Sequence, residues 1–223
     1  MEIKFNRSPL FYNSFRRFVC FPTLYTLFNF KIEGRENLPE KGPAFIVSKH
    51  QAWLDLFVIC YASRKLLYYI AKSELFGNIF GDYKKSFLYY LGELLKGVFC
   101  RGLYWMGAIP LSRDNPKETV TSFKYMEKLI DENEIIVFFP EGRMIFGKMG
   151  EVKEGLIKWV MKLQKKKKIK FPIITIGMSY ERAFPRMNLT CRIDSPEYYD
   201  IDDENVTEKI MEKIKKLSKL DNN

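Results

Sequence analysis

The chain holds a single histidine, His50, in the stretch VSKHQAWLDLF, and five residues later comes Asp55. Imidazole is the side chain whose protonation changes near neutral pH. A carboxylate that accepts from one ring N–H leaves the other nitrogen free to take a proton, which is the arrangement of a general base with its orienting partner. The pair falls where a buried strand gives way to a helix, and open α/β sheets collect ligand chemistry at the carboxyl ends of strands. The same spacing also fits a surface or helix-capping histidine, so the two residues alone leave both readings open. Two more strand ends carry arginine. FFPEGR closes an apolar run with Pro140, Glu141, Gly142 and Arg143. There Gly142 lets the backbone approach a ligand closely, and Arg143 offers a planar donor fork suited to phosphate. GAIPLSR ends on Arg113 with the same potential. Each arginine also reads as a solvated loop residue.

Several chemistries are disfavoured. The chain has no G-x-S-x-G elbow, which speaks against a serine hydrolase. It has neither a G-x-x-x-x-G-K-[ST] loop nor a dinucleotide glycine fingerprint. Cys20, Cys60, Cys100 and Cys191 form no C-x-x-C pair. With one histidine a Cys/His metal site is not expected, and the thiols read as reduced, in a cytosolic compartment. A net charge of +10 with 16% aromatic residues points to an anionic membrane surface or to nucleic acid. The interleaved basic and aromatic signatures of nucleic-acid folds are missing. A basic membrane- or nucleic-acid-binding module without catalysis is therefore the lesser alternative, and nucleic acid is not expected as a partner.

The elements that must position these residues follow from apolar periodicity. Ile32–Gly34 reads as a short strand, Ala44–Ser48 as a buried one, and QAWLDLFVICYAS as a helix. KLLYYIAK, GAIPLSRD, EIIVFFPEG and FPIITIGMSY read as strands. Between and around them lie helical stretches: Leu75 to Tyr104, NPKETVTSFKYMEKLIDEN, VKEGLIKWVMKLQKKKK, and a surface helix at the C-terminus. Strands alternating with helices predict a single α/β domain over residues 31–223, with a central mixed, largely parallel sheet flanked by helices. Residues 1–30 are rich in Phe, Tyr and Leu but interrupted by Arg16 and Arg17, with Pro22 expected to break or kink a helix. They are expected to form an amphipathic helical segment in a membrane interface, aromatics down and arginines toward headgroups, with packing on the protein's own core as the alternative. No apolar run reaches the roughly 20 residues of a spanning helix, so the expected association is peripheral or monotopic, at the cytoplasmic face. Trp53 is expected to pack. The run Lys165–Lys168 is expected to be a solvated helix end, with contact to anionic lipid as the lesser reading.

Taken in order, HQAWLD, GAIPLSR, FPEGR and FPIITIG resemble the four sequence blocks of the phospholipid/glycerol acyltransferases, of the 1-acyl-sn-glycerol-3-phosphate acyltransferase type. AKSELF and VKEG are further matches, and the resemblance runs from about Ile32 to Arg186. It implies transfer of a fatty acyl group from acyl-CoA or acyl carrier protein to the free hydroxyl of a lysophospholipid, lysophosphatidic acid first. Glycerol-3-phosphate, lysophosphatidylethanolamine and an ornithine-type lipid are the alternative acceptors. It implies His50 and Asp55 as the catalytic pair, and Arg113, Glu141, Gly142, Arg143 and Lys72 at the acceptor phosphate. No metal and no cofactor beyond the acyl carrier is implied. Two departures stand out. Arg143 follows Gly142 directly where the commonest pattern has an intervening threonine, and Thr175 stands where a second proline is frequent.

Overall fold

The computed structural model describes residues 7–76, 87–112, 115–200, 202–203 and 205–220, for 87–95 the backbone alone. Seven strands form one sheet: β1 (Phe28–Glu33), β2 (Ala44–Ser48), β3 (Tyr68–Lys72), β4 (Ala108–Leu111), β5 (Ile135–Phe138), β6 (Ile173–Glu181) and β7 (Met187–Ile193). Their order across the sheet is β1-β7-β6-β2-β5-β3-β4. All neighbours are parallel except β6 and β7, which form an antiparallel hairpin. The sheet is thus mixed and largely parallel, as expected.

The central strands read as continuous apolar runs because both their faces are covered. In β2, Ala44 and Ile46 enter one core and Phe45 and Val47 the other, the period of two that a strand imposes. The first core lies under α1 (Pro9–Phe15), α2 (Phe21–Leu27) and α3 (Leu54–Ala62). The second lies under α5 (Pro116–Asp131), α6 (Gly155–Lys167) and α7 (Val206–Leu217). The remaining helix, α4 (Phe87–Trp105), leads into β4.

Four differences from the sequence reading have physical causes. Strand β1 begins at Phe28 rather than Ile32, because the chain pairs with β7 from the moment α2 ends. Strand β7 was not foreseen; its alternation Met187, Leu189, Cys191, Ile193 is punctuated by polar residues that face the open side of the sheet. Pro22 does not break the N-terminal helix. A π-helical turn over Arg16–Cys20 joins α1 to α2, and Pro22 sits near the start of α2, where its missing N–H costs little. The N-terminal helices also present apolar residues on two sides. Tyr12, Cys20 and Leu24 are fully buried in the core, while Leu10, Phe18, Phe21, Tyr25 and Leu27 are exposed. Arg16 is turned onto the protein, donating to the Ser63 carbonyl at 2.9 Å, rather than outward.

Candidate functional site

The site begins with the loop His50–Trp53 between β2 and α3. Asp55 lies in the first turn of α3, where the exposed amide ends of a helix favour negative charge. Its side chain folds back over that turn. Oδ2 accepts from the Gln51 N–H at 2.5 Å and the Ala52 N–H at 2.8 Å, and lies 3.0 Å from His50 Nδ1. Oδ1 accepts from the Tyr180 hydroxyl at 2.5 Å. Asp55 is completely buried, so each of these donors replaces a lost water contact. A carboxylate already held by three donors takes a fourth from Nδ1. That assigns the proton to Nδ1 and leaves Nε2 as an acceptor. The imidazole stacks on Phe139 at 4.3 Å between centroids and 20° between planes, and keeps 17% of its side-chain surface open. Burial and the charge of Asp55 push the Tyr180 phenol well above its usual range, so it remains a donor. Cys191, also fully buried near Asp55, is pushed up to about 12 and stays an inert thiol.

The segment after β5 is tied to this loop at several points. A turn closes from Gly142 N–H to the Phe139 carbonyl at 3.0 Å, with Gly142 at φ +60°, a region that glycine tolerates best. Ile145 N–H donates to the His50 carbonyl at 2.9 Å. Gln51 bridges outward, accepting from Gly147 N–H at 3.1 Å and donating to the Met178 carbonyl at 2.5 Å. Beneath the turn, Glu141 accepts from Lys49 Nζ at 3.0 Å on both oxygens and from Gly150 N–H at 2.5 Å. Both side chains of that ion pair have no exposed surface.

These ends surround a cavity of about 1040 Å³. His50, Lys72, Gly142 and Arg143 line it together with a largely apolar wall that includes Phe15, Phe57, Leu103, Met106 and Phe123. Lys72 and Arg143 are exposed on its rim. The structure therefore brings four of the expected site residues to one cavity, with Asp55 behind the histidine. Glu141 is the exception. It is not part of the lining, and its carboxylate is consumed by Lys49, so its placement is that of an anchor under the loop and does not offer a contact to an anionic phosphate. Arg113 lies outside the described residues; its neighbour Ser112 lines the cavity. Trp53, expected to pack, is 56% exposed; it sits in the loop ahead of α3 and meets Phe57 edge-on at 5.1 Å between centroids. Among the described residues no group of side chains has the makings of a metal site. A second depression, on the open face of β1 and β7, contains none of these residues.

Lys49, Gln51 and Tyr180 were missed by the sequence reading. Lys49 carried a usable signal: a lysine continuing a fully apolar strand needs an acid, and the register Val47↔Phe138 brings the two strand ends side by side. Gln51 and Tyr180 carried none, since their partners lie more than 90 residues away in sequence.

The chain matches the Acyltransferase family over residues 29–179. A chloroplastic 1-acyl-sn-glycerol-3-phosphate acyltransferase of Arabidopsis thaliana is 29% identical over 135 residues, 60% of this chain and 33% of the relative. A 1-acyl-sn-glycerol-3-phosphate acyltransferase of Bacillus subtilis is 30% identical over 113 residues, covering 50% and 47%. The chain thus spans about a third to a half of the length of these curated relatives. The crystal structure of the 1-acyl-sn-glycerophosphate acyltransferase of Thermotoga maritima superposes with a TM-score of 0.65 at 17% identity, over 93% of this chain and 78% of that one, and shows the same fold. With the family pattern covering well over half of its length, the chain belongs to the Acyltransferase family.

Proposed function

We propose that the chain is an O-acyltransferase that moves a fatty acyl group from acyl-CoA or acyl carrier protein to the free hydroxyl of 1-acyl-sn-glycerol-3-phosphate, giving phosphatidic acid. The observation that carries this is His50, held by Asp55 at 3.0 Å, facing an apolar cavity whose rim bears Lys72 and Arg143. The relatives' names supply the acceptor. In this reading the acceptor phosphate lies against Lys72 and Arg143, and acyl chains occupy the apolar wall. His50 Nε2 takes the proton of the acceptor hydroxyl as its oxygen attacks the thioester carbonyl. Collapse of the tetrahedral adduct breaks the carbon–sulfur bond, and the imidazolium returns the proton to the departing thiolate. A thioester is already activated, so this chemistry calls for no metal and no acylated protein nucleophile. General-base assistance is worth about 10²–10⁴-fold, and fixing the phosphate adds positioning.

A lipid acceptor requires work at a membrane surface. Among the described residues no helix is long and apolar enough to cross one, and we place the enzyme peripherally, at the cytoplasmic face of an anionic membrane. The test is thiol release from palmitoyl-CoA with lysophosphatidic acid in detergent micelles, comparing wild type with His50→Ala. The variant is expected to lose at least about a hundredfold in turnover while unfolding at the wild-type temperature. A fully active variant overturns the mechanism.

A further inference from the structure

The hairpin between β6 and β7 has no role in the chemistry above, yet it holds the most exposed large apolar side chain of the described residues. Phe184 is 98% exposed. It stands in the sequence Arg182-Ala183-Phe184-Pro185-Arg186, every residue of which is exposed. No acidic residue follows until Asp194. Glu181, just before the tip, is itself paired with Lys219 at 3.2 Å. A bare aromatic ring between two guanidinium groups is costly in water and has no use in a core. It suits an interface where the ring meets acyl chains and the cations meet phosphate.

The sheet topology says which way this tip points. β6 runs parallel to β2, so the hairpin leaves the sheet at the same end as His50. β1 pairs with β7 in the register Phe28↔Met187, so the end of α2 arrives at that rim as well. Arg186 Nη1 donates to the Tyr25 carbonyl at 2.5 Å, joining the tip to α2. Tyr25 and Leu27 are about half exposed there. On the other side of the hairpin, Tyr180 contacts Phe146 at 5.7 Å between centroids. Phe146 and Met144 are 60% and 57% exposed on the loop that also carries Arg143 and the exposed Lys148. One rim therefore presents Tyr25, Leu27, Phe184, Phe146 and Met144 with Arg182, Arg186, Arg143 and Lys148 among them. At the opposite end of the sheet two lysines of the basic run are paired: Lys166 with Glu127 at 2.6 Å and Lys167 with Asp131 at 2.5 Å.

We infer that the β6–β7 hairpin is a membrane anchor, with Phe184 inserted among the lipids of an anionic bilayer and Arg182 and Arg186 on their phosphates. Docked this way, the carboxyl end of the sheet, and with it the mouth of the His50 cavity, faces the bilayer that supplies the acceptor. The inference rests on the proposed lipid substrate for its purpose, but its test is independent of catalysis.

The experiment is vesicle co-sedimentation of the full chain with phosphatidylglycerol-containing and pure phosphatidylcholine vesicles at several salt concentrations. Wild type, Phe184→Ser, Arg182→Glu/Arg186→Glu and His50→Ala are compared. Because Phe184 is exposed, Phe184→Ser is expected to fold and to melt as wild type does. Its partition into phosphatidylglycerol vesicles should fall about tenfold, the expected worth of one inserted aromatic ring. The double charge reversal should abolish the preference for anionic over neutral vesicles, and with it the salt dependence. His50→Ala should bind as wild type, so that a failure of the catalytic reading leaves this result standing. Turnover of a short-chain, monomerically soluble acceptor should be unchanged in Phe184→Ser. Partition of Phe184→Ser within twofold of wild type overturns the inference. So does a lipid-free dimer of wild type at micromolar concentration that Phe184→Ser dissociates, since the rim would then be an interface between copies of the chain.

Discussion

Asp55 and Glu141 are both fully buried carboxylates at the carboxyl end of the sheet, and they have opposite surroundings. Glu141 meets a lysine: Lys49 spans both its oxygens at 3.0 Å, and the pair is closed to solvent. Asp55 meets no lysine or arginine; its donors are two backbone amides, the Tyr180 hydroxyl and His50. A buried acid with its own cation has its charge cancelled once and for all, so it can serve only as an anchor. A buried acid with neutral donors keeps a charge that is best matched when the imidazole beside it gains a proton. The first arrangement holds the loop that carries Gly142 and Arg143; the second supports the base proposed above. Their difference separates building the site from running it.

The anchor should show the largest effect, and on stability. Lys49→Met leaves Glu141 buried without its cation and is expected to cost about 3–5 kcal/mol in denaturant unfolding. Lys49→Met/Glu141→Gln removes both charges and should recover most of that loss. If Lys49→Met unfolds as wild type does and only turnover falls, the two carboxylates are not different in kind. Asp55→Asn comes next, and on activity. With its oxygen in the place of Oδ2 the amide still accepts from Gln51, Ala52 and Nδ1, and its NH₂ group turns to the Tyr180 oxygen. What is lost is the negative charge that would match an imidazolium formed during turnover, so kcat should drop by about 10²–10⁴-fold. Stability should change by only about 1 kcal/mol. Steady-state kinetics beside an unfolding curve separates the two variants, and a collapse of stability in Asp55→Asn would erase the contrast.

Most of the fold and the first layer of the site were legible in sequence because they are local. Ala44–Ser48 announces a strand covered on both faces by its unbroken apolar run, and its bounds were met in the structure. His50, Asp55 and the Phe139–Arg143 turn follow from short motifs at strand ends. What was not legible depends on chain segments far apart. Strand β7 reads as an amphipathic stretch with no turn motif to pair it, and its place beside β1 follows from where α2 ends. The placement of Glu141 is not legible because its partner, Lys49, lies 92 positions away, and a lysine at the end of a buried strand calls for an acid without naming which one until the two strands are laid side by side. Tyr180 is separated from Asp55 by 125 positions, and nothing in GMSYE marks it as a ligand for a carboxylate. The continuous passage of the N-terminal helix through Pro22 depends on a π turn that apolar periodicity does not encode.

Tyr180 offers the finest test of the contrast, because it belongs to the Asp55 network alone. Tyr180→Phe keeps the ring against Phe146 and removes only the hydroxyl that donates to Oδ1. A hydrogen bond to a charged group contributes about 1.5–3 kcal/mol. If part of that bond's worth is spent holding Oδ2 toward the imidazole, kcat should fall about tenfold with KM for the acceptor unchanged. The same variant has a signature in alkali. In the unfolded chain this phenol ionises near pH ~10, whereas in the folded protein burial and the Asp55 charge keep it protonated far above that. A folded-state value raised above the unfolded one means stability that is intact below pH ~10 and lost as pH climbs beyond it. Tyr180→Phe lacks that contribution, so its stability should decline less steeply with pH above ~10, by up to about 1.4 kcal/mol per pH unit. Wild-type kcat together with the shallower alkaline decline would show that the hydroxyl is buried beside Asp55 without directing it. A lower kcat with the same alkaline change assigns Tyr180 to the positioning of the base, which Glu141, with its charge already cancelled, cannot provide.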